Sequence, residues 1–272
     1  MDYSQILSQQ FNIKEEYAKN IITLLDDGNT IPFIARYRKE MHGSMDDQLI
    51  REFAEKLEYL RGLDKRRDEI RSLIDTQEKL TDEINLALDK AATLSELEDI
   101  YRPYRPKRKT RASIAKEKGL EPLANDILKQ EKGFDPSKSA VDYIDEEKGV
   151  TSVEDAIQGA MDIIAELVSD NAEIRKRIRN LTNANGVLVS VATDEEKDSV
   201  YKNYYDYKEP VKKIAGHRVL AVNRGEKEGF LKVSVETDSE KPLNSIFRAM
   251  ITDKNQLCSD IIREACTDAY QR

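Results

Sequence analysis

The sequence predicts a mainly α protein: a multi-helix array with one long helix and a small mixed α/β portion. Apolar residues recur at helical spacings of three, four and seven through most of the 272 residues. Only 11 Gly and 7 Pro interrupt them, which argues against a loop-rich or all-β chain. Between 186 and 241 the pattern changes to short β-branched or alternating stretches, which are typical of strands.

The first 40 residues predict three short helices. Ser4 is a candidate cap for the first helix and Asn12 for the second. Pro32 suits the first turn of a third helix over 31–40, because its missing N–H costs nothing there.

A helix of about 30 residues is predicted to follow from Ser44. Its apolar positions are Leu49, Phe53, Leu57, Leu60, Leu63, Ile70, Leu73 and Ile74. Gly62 lies inside this pattern, where glycine costs about 1 kcal/mol relative to alanine. We therefore expect either a bend or a closely packed neighbour at that position.

The remaining chain alternates between helices and short irregular segments. Two prolines exclude a helix after Tyr101, so 102–110 is predicted to be an extended connector. Further helices are predicted over 111–118, 120–131, 136–144, 152–168, 172–182 and 217–225, and strands over 187–191 and 230–235. These patterns suggest a helical region over 1–185, a mixed portion over 186–241 and a helical segment over 242–272. The last of these stays periodic to the final residues, which suits a chain cut from a longer protein.

Charge is unevenly distributed along the chain. The net charge is −8, which gives no support to nucleic-acid binding, a function that often goes with a basic total. However, 101–118 holds eight Lys or Arg against one Glu, a local net of +7, so the remainder carries −15. This basic segment is the strongest functional signal in the sequence.

The basic connector has three possible roles. Its candidate nucleic-acid-binding residues are Arg102, Tyr104, Arg105, Lys107, Arg108, Lys109 and Arg111. On an extended backbone, cations can follow phosphates while tyrosines stack on bases. Alternatively, the cations pair with the acidic remainder of the chain, or they meet a protein partner.

A second cationic group lies near the end of the predicted third helix. Arg36, Arg38 and Lys39 would complement the helix dipole there, while Phe33, Ile34 and Tyr37 are expected to pack inward. This structural interpretation is the better one. The functional interpretation is a recognition helix that meets DNA phosphates.

The sequence gives little support to catalysis, a metal or a cofactor. The acidic pairs at 26–27 and 46–47 fall at predicted helix ends, where capping or solvation explains them better than Mg²⁺ binding. The two His residues, His42 and His217, have no nucleophile motif nearby. We therefore expect no catalytic, metal-binding or cofactor-binding residues.

Cellular context follows from what the sequence lacks. Cys258 and Cys266 have no metal-ligand spacing, so they are interpreted as free thiols in a reducing compartment. No apolar run reaches the roughly 20 residues that a membrane span needs. The N-terminus has no signal-peptide pattern. We expect a cytoplasmic protein without a membrane partner.

Three long segments resemble the Tex family of bacterial transcription accessory proteins. They are GNTIPFIARYRKE at 28–40, YRPYRPKRKTR at 101–111 followed by GLEPLA at 119–124, and HRVLAVNRGEKEG at 217–229. Their order and length over about 200 residues make the resemblance far more specific than any short chemical motif in the chain.

The resemblance implies a largely helical N-terminal half with a helix-turn-helix-like part, for which the helices within 14–40 are the candidate. In the family, resolvase-type, helix-hairpin-helix and RNA-binding OB-fold domains follow. No segment of this chain resembles those later domains. We therefore expect a non-catalytic N-terminal scaffold of a nucleic-acid-binding transcription accessory protein. Weak RNA or DNA contact would come through the connector. The alternative is a protein-interaction scaffold that contacts the transcription machinery or the family's C-terminal domains.

Overall fold

The computed structural model describes residues 2–106, 108–252 and 255–272. It is mainly α-helical with a small antiparallel sheet, so the predicted fold class is confirmed. The chain divides into two compact units, an N-terminal unit over 1–104 and a C-terminal unit over 105–272. The predicted boundaries at 185 and 241 stay predictions. Among the described residues, no helix has both the length and the apolar composition needed to cross a membrane.

The N-terminal unit consists of seven helices in the described part of the chain. They are α1 (Tyr3–Phe11), α2 (Glu15–Asp26), α3 (Ile31–Tyr37), α4 (Lys39–His42), α5 (Asp47–Asp75), α6 (Asp82–Lys90) and α7 (Leu94–Tyr101). A 3-10 turn over Arg102–Tyr104 follows α7.

The long helix α5 organises this unit. Asp46 caps it by accepting a hydrogen bond of 2.8 Å from the N–H of Leu49. Its buried apolar side chains are Ile50, Phe53, Leu57, Leu60, Leu63, Ile70 and Ile74. The first part packs with α1, α2 and α3, and the second part packs with α6 and α7. The predicted long helix is therefore confirmed, and it serves two apolar clusters.

One position on the buried stripe of α5 is polar. Arg67 is only 5% exposed, and it donates to the carbonyl oxygens of Leu88 and Ala91 at 2.9 and 3.0 Å. It also pairs with Asp64, whose carboxylate accepts a 2.8 Å hydrogen bond from the hydroxyl of Tyr3. One guanidinium thereby joins α5 to the C-terminal end of α6 and, through Asp64, to α1.

Several local predictions in the N-terminal unit were wrong. Asp2, not Ser4, caps α1, because its carboxylate reaches two N–H groups. Asn12 ends α1 in the left-handed conformation, φ 52°, instead of starting α2. No neighbouring atom lies within 4 Å of a Cβ built on Gly62, so a closely packed neighbour does not explain that glycine.

Two predicted boundaries also differ. The third helix ends at Tyr37, because Arg38 leaves the helical conformation with φ −131° and ψ 33°. The connector is not extended throughout, since its first three residues form the 3-10 turn. A 3-10 turn tolerates Pro103, which forbids only the regular helical hydrogen bond at its own nitrogen.

The C-terminal unit combines eight helices with three strands among the described residues. The helices are α8 (Arg111–Glu117), α9 (Glu121–Lys129), α10 (Pro136–Ala140), α11 (Val153–Asp170), α12 (Ala172–Asn185), α13 (Gly216–Lys227), α14 (Glu240–Met250) and α15 (Gln256–Gln271). The strands are β1 (Val187–Ala192), β2 (Asp206–Pro210) and β3 (Leu231–Glu236).

Helix α11 lies at the centre of the helical core and packs on α8, α9 and α15. Small side chains allow this close approach, among them Ala115 and Ala160. A Cβ built on Gly159 would lie 2.3 Å from Cδ1 of Leu120, so glycine is required for this packing.

The same core buries both cysteines. Cys258 and Cys266 are free thiols, and burial raises the pKa of Cys266 to about 12. Both therefore serve in packing, and the prediction of free thiols is confirmed.

Two buried amide side chains hold the loop between α14 and α15. Gln130 is 1% exposed; its Nε2 donates to the carbonyl of Met250 and its Oε1 accepts from the N–H of Thr252, both at 2.9 Å. Nδ2 of Asn255 donates to the carbonyls of Glu131 and Phe134 at 2.8 and 2.7 Å. The same side chain caps α15 through Oδ1.

The sheet has the order β2-β1-β3, with both pairs antiparallel. The strands β1 and β3 were predicted. The sequence analysis missed β2, because its residues alternate only between exposed and half-buried and carry mostly polar side chains. Helix α13 packs on β3, where Gly225 leaves space for the side chain of Leu231. His217 does not cap α13; the cap position is Ala215.

Replacing Arg67 with Met tests the role of the buried guanidinium. Two buried carbonyls and Asp64 lose their donor, which should lower the free energy of unfolding by about 3 kcal/mol. Urea unfolding, with hydrogen exchange read over α5–α7, measures the effect. Lys65→Met is the control, because Lys65 is exposed on the same helix. Equal stability of the two variants would contradict this role.

Replacing Asn255 with Ala removes three hydrogen bonds from the C-terminal unit. We expect a loss of about 2–4 kcal/mol, since two carbonyls and one N–H are left without their partner in a largely closed site. The matched control is Asn244→Ala, an exposed position on α14. The measurement is the unfolding free energy from urea titration, and a loss no larger than that of the control would show that water replaces these bonds.

Candidate nucleic-acid interface

The cations predicted to contact nucleic acid fall in both units. Arg36, Arg38 and Lys39 lie where α3 meets α4, a region of the N-terminal unit, 31–42, that we term the α3–α4 corner. Arg102 and Tyr104 end the same unit. Arg105, Arg108, Lys109 and Arg111 begin the C-terminal unit, and Lys107 lies outside the described residues.

The α3–α4 corner is fixed from inside by polar contacts. His42 is fully buried, and its Nε2 lies 3.1 Å from the carbonyl oxygen of Ile34, so this nitrogen carries the proton in the contact. Nδ2 of Asn20 donates to the carbonyl of Met41 at 3.0 Å. Ile34 is itself fully buried against α5. The backbone of the corner is thereby tied to both α2 and the core.

The outer surface of the corner is cationic. Arg36, Arg38 and Lys39 are all exposed. Among the described residues none of the three forms an ion pair, although Glu40 is adjacent in sequence. The break at Arg38 turns its guanidinium toward Phe33, with 5.5 Å between the guanidinium carbon and the ring centroid. This surface can therefore attract an anion without first giving up a carboxylate partner.

The expected inward packing of the corner is only partly correct. Ile34 is buried, but Tyr37 is 65% exposed and lies against Phe33, with ring centroids 5.4 Å apart. Phe33 and Tyr37 are four residues apart on α3 and so share a face, which the sequence analysis assigned to the core. The core instead takes the face carrying Ile31, Ile34 and Ala35.

Two candidate residues of the connector, Arg102 and Tyr104, end the N-terminal unit and differ in their exposure. Arg102 is exposed, whereas Tyr104 is half-buried and packs against the cluster of α5–α7. The carbonyl of Tyr104 accepts a 2.9 Å hydrogen bond from Nε2 of Gln77. The predicted stacking role of Tyr104 stays a prediction. Part of its ring is covered by the apolar cluster of α5–α7.

The cations that begin the C-terminal unit differ in their surroundings. Arg105 and Arg108 are exposed and form no ion pair within the part of the chain that the structure describes. Lys109 pairs with Glu117 at 3.2 Å, and both side chains stay largely exposed. Surface pairs of this kind contribute little, so Lys109 can exchange its partner.

Arg111 belongs to a cluster of four charges. Its Nε lies 3.5 Å from Asp162 on α11, and its Nη2 lies 3.1 Å from Asp268 on α15. Arg272 contacts the same two carboxylates. Thr110 caps α8 in a reciprocal capping box with Ser113, which fixes the backbone beside Arg111. Arg111 thus docks the start of the C-terminal unit onto its own core.

The acidic pairs are engaged structurally. Both oxygens of Asp26 accept hydrogen bonds from Arg61, at 2.7 and 2.8 Å, and Asp46 caps α5. In the described ranges, no three His, Cys, Asp or Glu side chains are grouped so that they could hold a metal ion. In the third motif, Arg218 pairs with Glu209 of β2 at 2.8 Å and stabilises the contact between α13 and the sheet.

The charge cluster predicts a pKa effect. Burial acts to raise the pKa of Asp268, but hydrogen bonds from Arg272 and Arg111 outweigh it, so the pKa lies below the ordinary value. The stabilisation by this group is therefore present above about pH 3.9 and is lost as the pH falls toward the lowered pKa. Arg111→Gln should raise the pKa of Asp268, as measured by carboxyl NMR titration.

A control variant for that titration is Lys116→Gln, which removes a cation paired with Glu121 instead. It should leave the pKa of Asp268 unchanged. An equal shift in both variants would mean that general charge, not the contact with Arg111, sets this pKa.

Two family profiles match the chain. Residues 1–75 match the Tex-like protein N-terminal domain, and residues 131–271 match the Tex central region-like family. The second match alone covers more than half of the chain.

Curated relatives agree with these matches. "Uncharacterized protein YdcI" of Bacillus subtilis is 42% identical over 279 residues, which cover 100% of this chain and 39% of the relative. "Transcriptional accessory protein Tex" of Neisseria gonorrhoeae is 39% identical over a segment that covers 87% of this chain and 31% of the relative. The human "S1 RNA-binding domain-containing protein 1" is 31% identical over a segment that covers 86% of this chain and 24% of the relative. The chain therefore spans between about a quarter and two fifths of these relatives.

Proposed function

The chain belongs to the Tex family of transcription accessory proteins, and from this premise we propose that it is a non-catalytic scaffold that contributes phosphate contacts to nucleic-acid binding. One observation carries the proposal: five of the cations predicted to bind nucleic acid are exposed and have no carboxylate partner among the described residues. They are Arg36, Arg38, Lys39, Arg105 and Arg108. Other cations of the two units, such as Lys19 and Lys129, are paired with carboxylates.

Unpaired cations favour a phosphate backbone for an energetic reason. A paired cation must give up its carboxylate before it can bind a phosphate, whereas an unpaired one gives up only water and counterions. Binding then gains from the release of ions condensed on the nucleic acid. Surface arginines also match phosphate oxygens in geometry, because the guanidinium presents parallel N–H donors.

RNA is the first ligand to test. The human relative is named for an S1 RNA-binding domain, and this chain covers only 24% of that protein. We infer that the chain supplies auxiliary contacts, with the main affinity residing elsewhere in the whole protein. We place the scaffold in the cytoplasm, where the two free thiols suit a reducing environment.

The proposal is tested by removing unpaired cations and comparing with removal of paired ones. The test variant changes Arg36, Arg38, Lys39, Arg105 and Arg108 to Ala. We expect weaker binding of a labelled single-stranded RNA. The salt dependence of log K should also become shallower, by roughly 0.7 for each phosphate that is no longer neutralised. Fluorescence anisotropy across a series of salt concentrations provides both values.

The control variant changes five paired cations, Lys19, Arg61, Lys116, Lys129 and Lys148, to Ala, so the net charge falls by the same amount. If both variants lose the same affinity, net charge alone explains binding. If the unmodified chain binds neither RNA nor duplex DNA at low salt, the proposal fails. The protein-interaction alternative then becomes the better account of the exposed cations.

A further inference from the structure

An exposed aromatic surface lies among the unpaired cations of the α3–α4 corner. Tyr37 is the most exposed aromatic side chain among the large apolar residues on the described surface, at 65%. Its ring lies 5.4 Å from that of Phe33, with a tilt of 39°. Most of the Tyr37 side chain is therefore accessible to a ligand, although one part of it lies against Phe33.

One cation lies against these rings, and two more are close in sequence. Arg38 lies 5.5 Å from the centroid of Phe33, close enough for a cation–π interaction, so Phe33 contacts Arg38 as well as Tyr37. Arg36 precedes Tyr37, Lys39 follows Arg38, and both are exposed. A short segment therefore presents two aromatic rings and three cations, none of which is paired with a carboxylate in the described structure.

We propose that the α3–α4 corner is a stacking platform for single-stranded nucleic acid, with Tyr37 taking the face of an unpaired base and Arg36, Arg38 and Lys39 holding the adjacent phosphates. The inference rests on the proposed nucleic-acid binding and adds a ligand class to it. Base stacking on an aromatic side chain tolerates any sequence, because each base has a π face.

A single strand fits this surface better than a duplex does. In a duplex the base faces are covered by their neighbours, so Tyr37 would meet only backbone and groove edges. In a single strand the bases can unstack and turn outward onto an aromatic side chain. Cations alone would serve either ligand, so the exposed ring of Tyr37 is the feature that discriminates between them.

The same unit contains an internal comparison. Tyr59 on α5 is also exposed, at 41%, and Nζ of Lys56 lies 4.9 Å from its ring centroid. Glu52 and Glu55 line the shallow depression beside it. These carboxylates would repel a phosphate chain. The site at Tyr59 therefore has an aromatic ring and a cation, but it lacks the excess of positive charge found at the corner.

The chain has no Trp, which allows a direct optical test of stacking. Tyr37→Trp gives a single indole at the platform, and Tyr59→Trp gives one at the comparison site. Titration with a short oligouridine or oligothymidine should quench the first indole strongly and leave the second nearly unchanged. Using both oligonucleotides separates RNA from DNA. Equal quenching at the two positions would overturn the assignment of the platform.

Affinity provides the second test. Tyr37→Ala should weaken single-strand binding roughly 5- to 100-fold, whereas Tyr37→Phe should retain it, because stacking needs the ring and not the hydroxyl. Binding of a duplex of the same length should change less than about twofold, since a duplex offers the ring no open base face. Circular dichroism should show a folded chain, because Tyr37 is mostly outside the core.

The outcomes separate this inference from the proposed function. If Tyr37→Ala binds a single strand as well as the unmodified chain while the five-cation variant does not, the chain binds nucleic acid but the stacking platform is wrong. If Tyr37→Ala weakens single-strand and duplex binding equally, selectivity for single strands is wrong. If the unmodified chain binds no nucleic acid, both proposals fall together.

Discussion

Both units depend on the requirement that buried backbone carbonyls receive a hydrogen bond. An unpaired buried acceptor costs about 1–3 kcal/mol, a large part of the total stability of a domain. In the N-terminal unit Arg67 supplies the donors for the end of α6. In the C-terminal unit Gln130 and Asn255 supply those for the segments around α9 and α14. Polar side chains therefore fix where these helices end, and the apolar clusters fill the space that they define.

The sequence predicted helices well where apolar spacing is regular, and least well at breaks and in polar strands. α5 was predicted because eight apolar residues repeat along it, of which six are buried, whereas Leu73 is exposed. The break at Arg38 was not, because no glycine or proline marks that position in the sequence. For the candidate site, composition was enough to select the cations. It could not predict which of them form ion pairs with carboxylates elsewhere in the chain. Arg111 meets Asp268, which is 157 residues away, and no local pattern reveals such a partner.

The N-terminal unit carries an excess of negative charge in addition to its cationic corner. Residues 1–104 contain 15 Lys or Arg against 22 Asp or Glu, while 105–272 contain 29 against 30. A polyanion is therefore repelled by the net charge of the first unit and attracted by the cations of the corner. Such contrast limits where and in which orientation a strand can approach, because misplaced contacts bring phosphates close to carboxylates. Weak binding of this kind can still be specific in position.

The two units also differ in how their cores are distributed along the chain. The clusters of the N-terminal unit lie entirely between Tyr3 and Tyr104. The helical core of the C-terminal unit joins residues near 112–174 to Ile246 and to α15. During synthesis the first unit can complete its core once Tyr104 has left the ribosome. The second must wait for nearly 170 further residues, with α8–α11 exposing apolar surface meanwhile. The later unit is therefore the one whose apolar surface stays open to aggregation for longer as it is made.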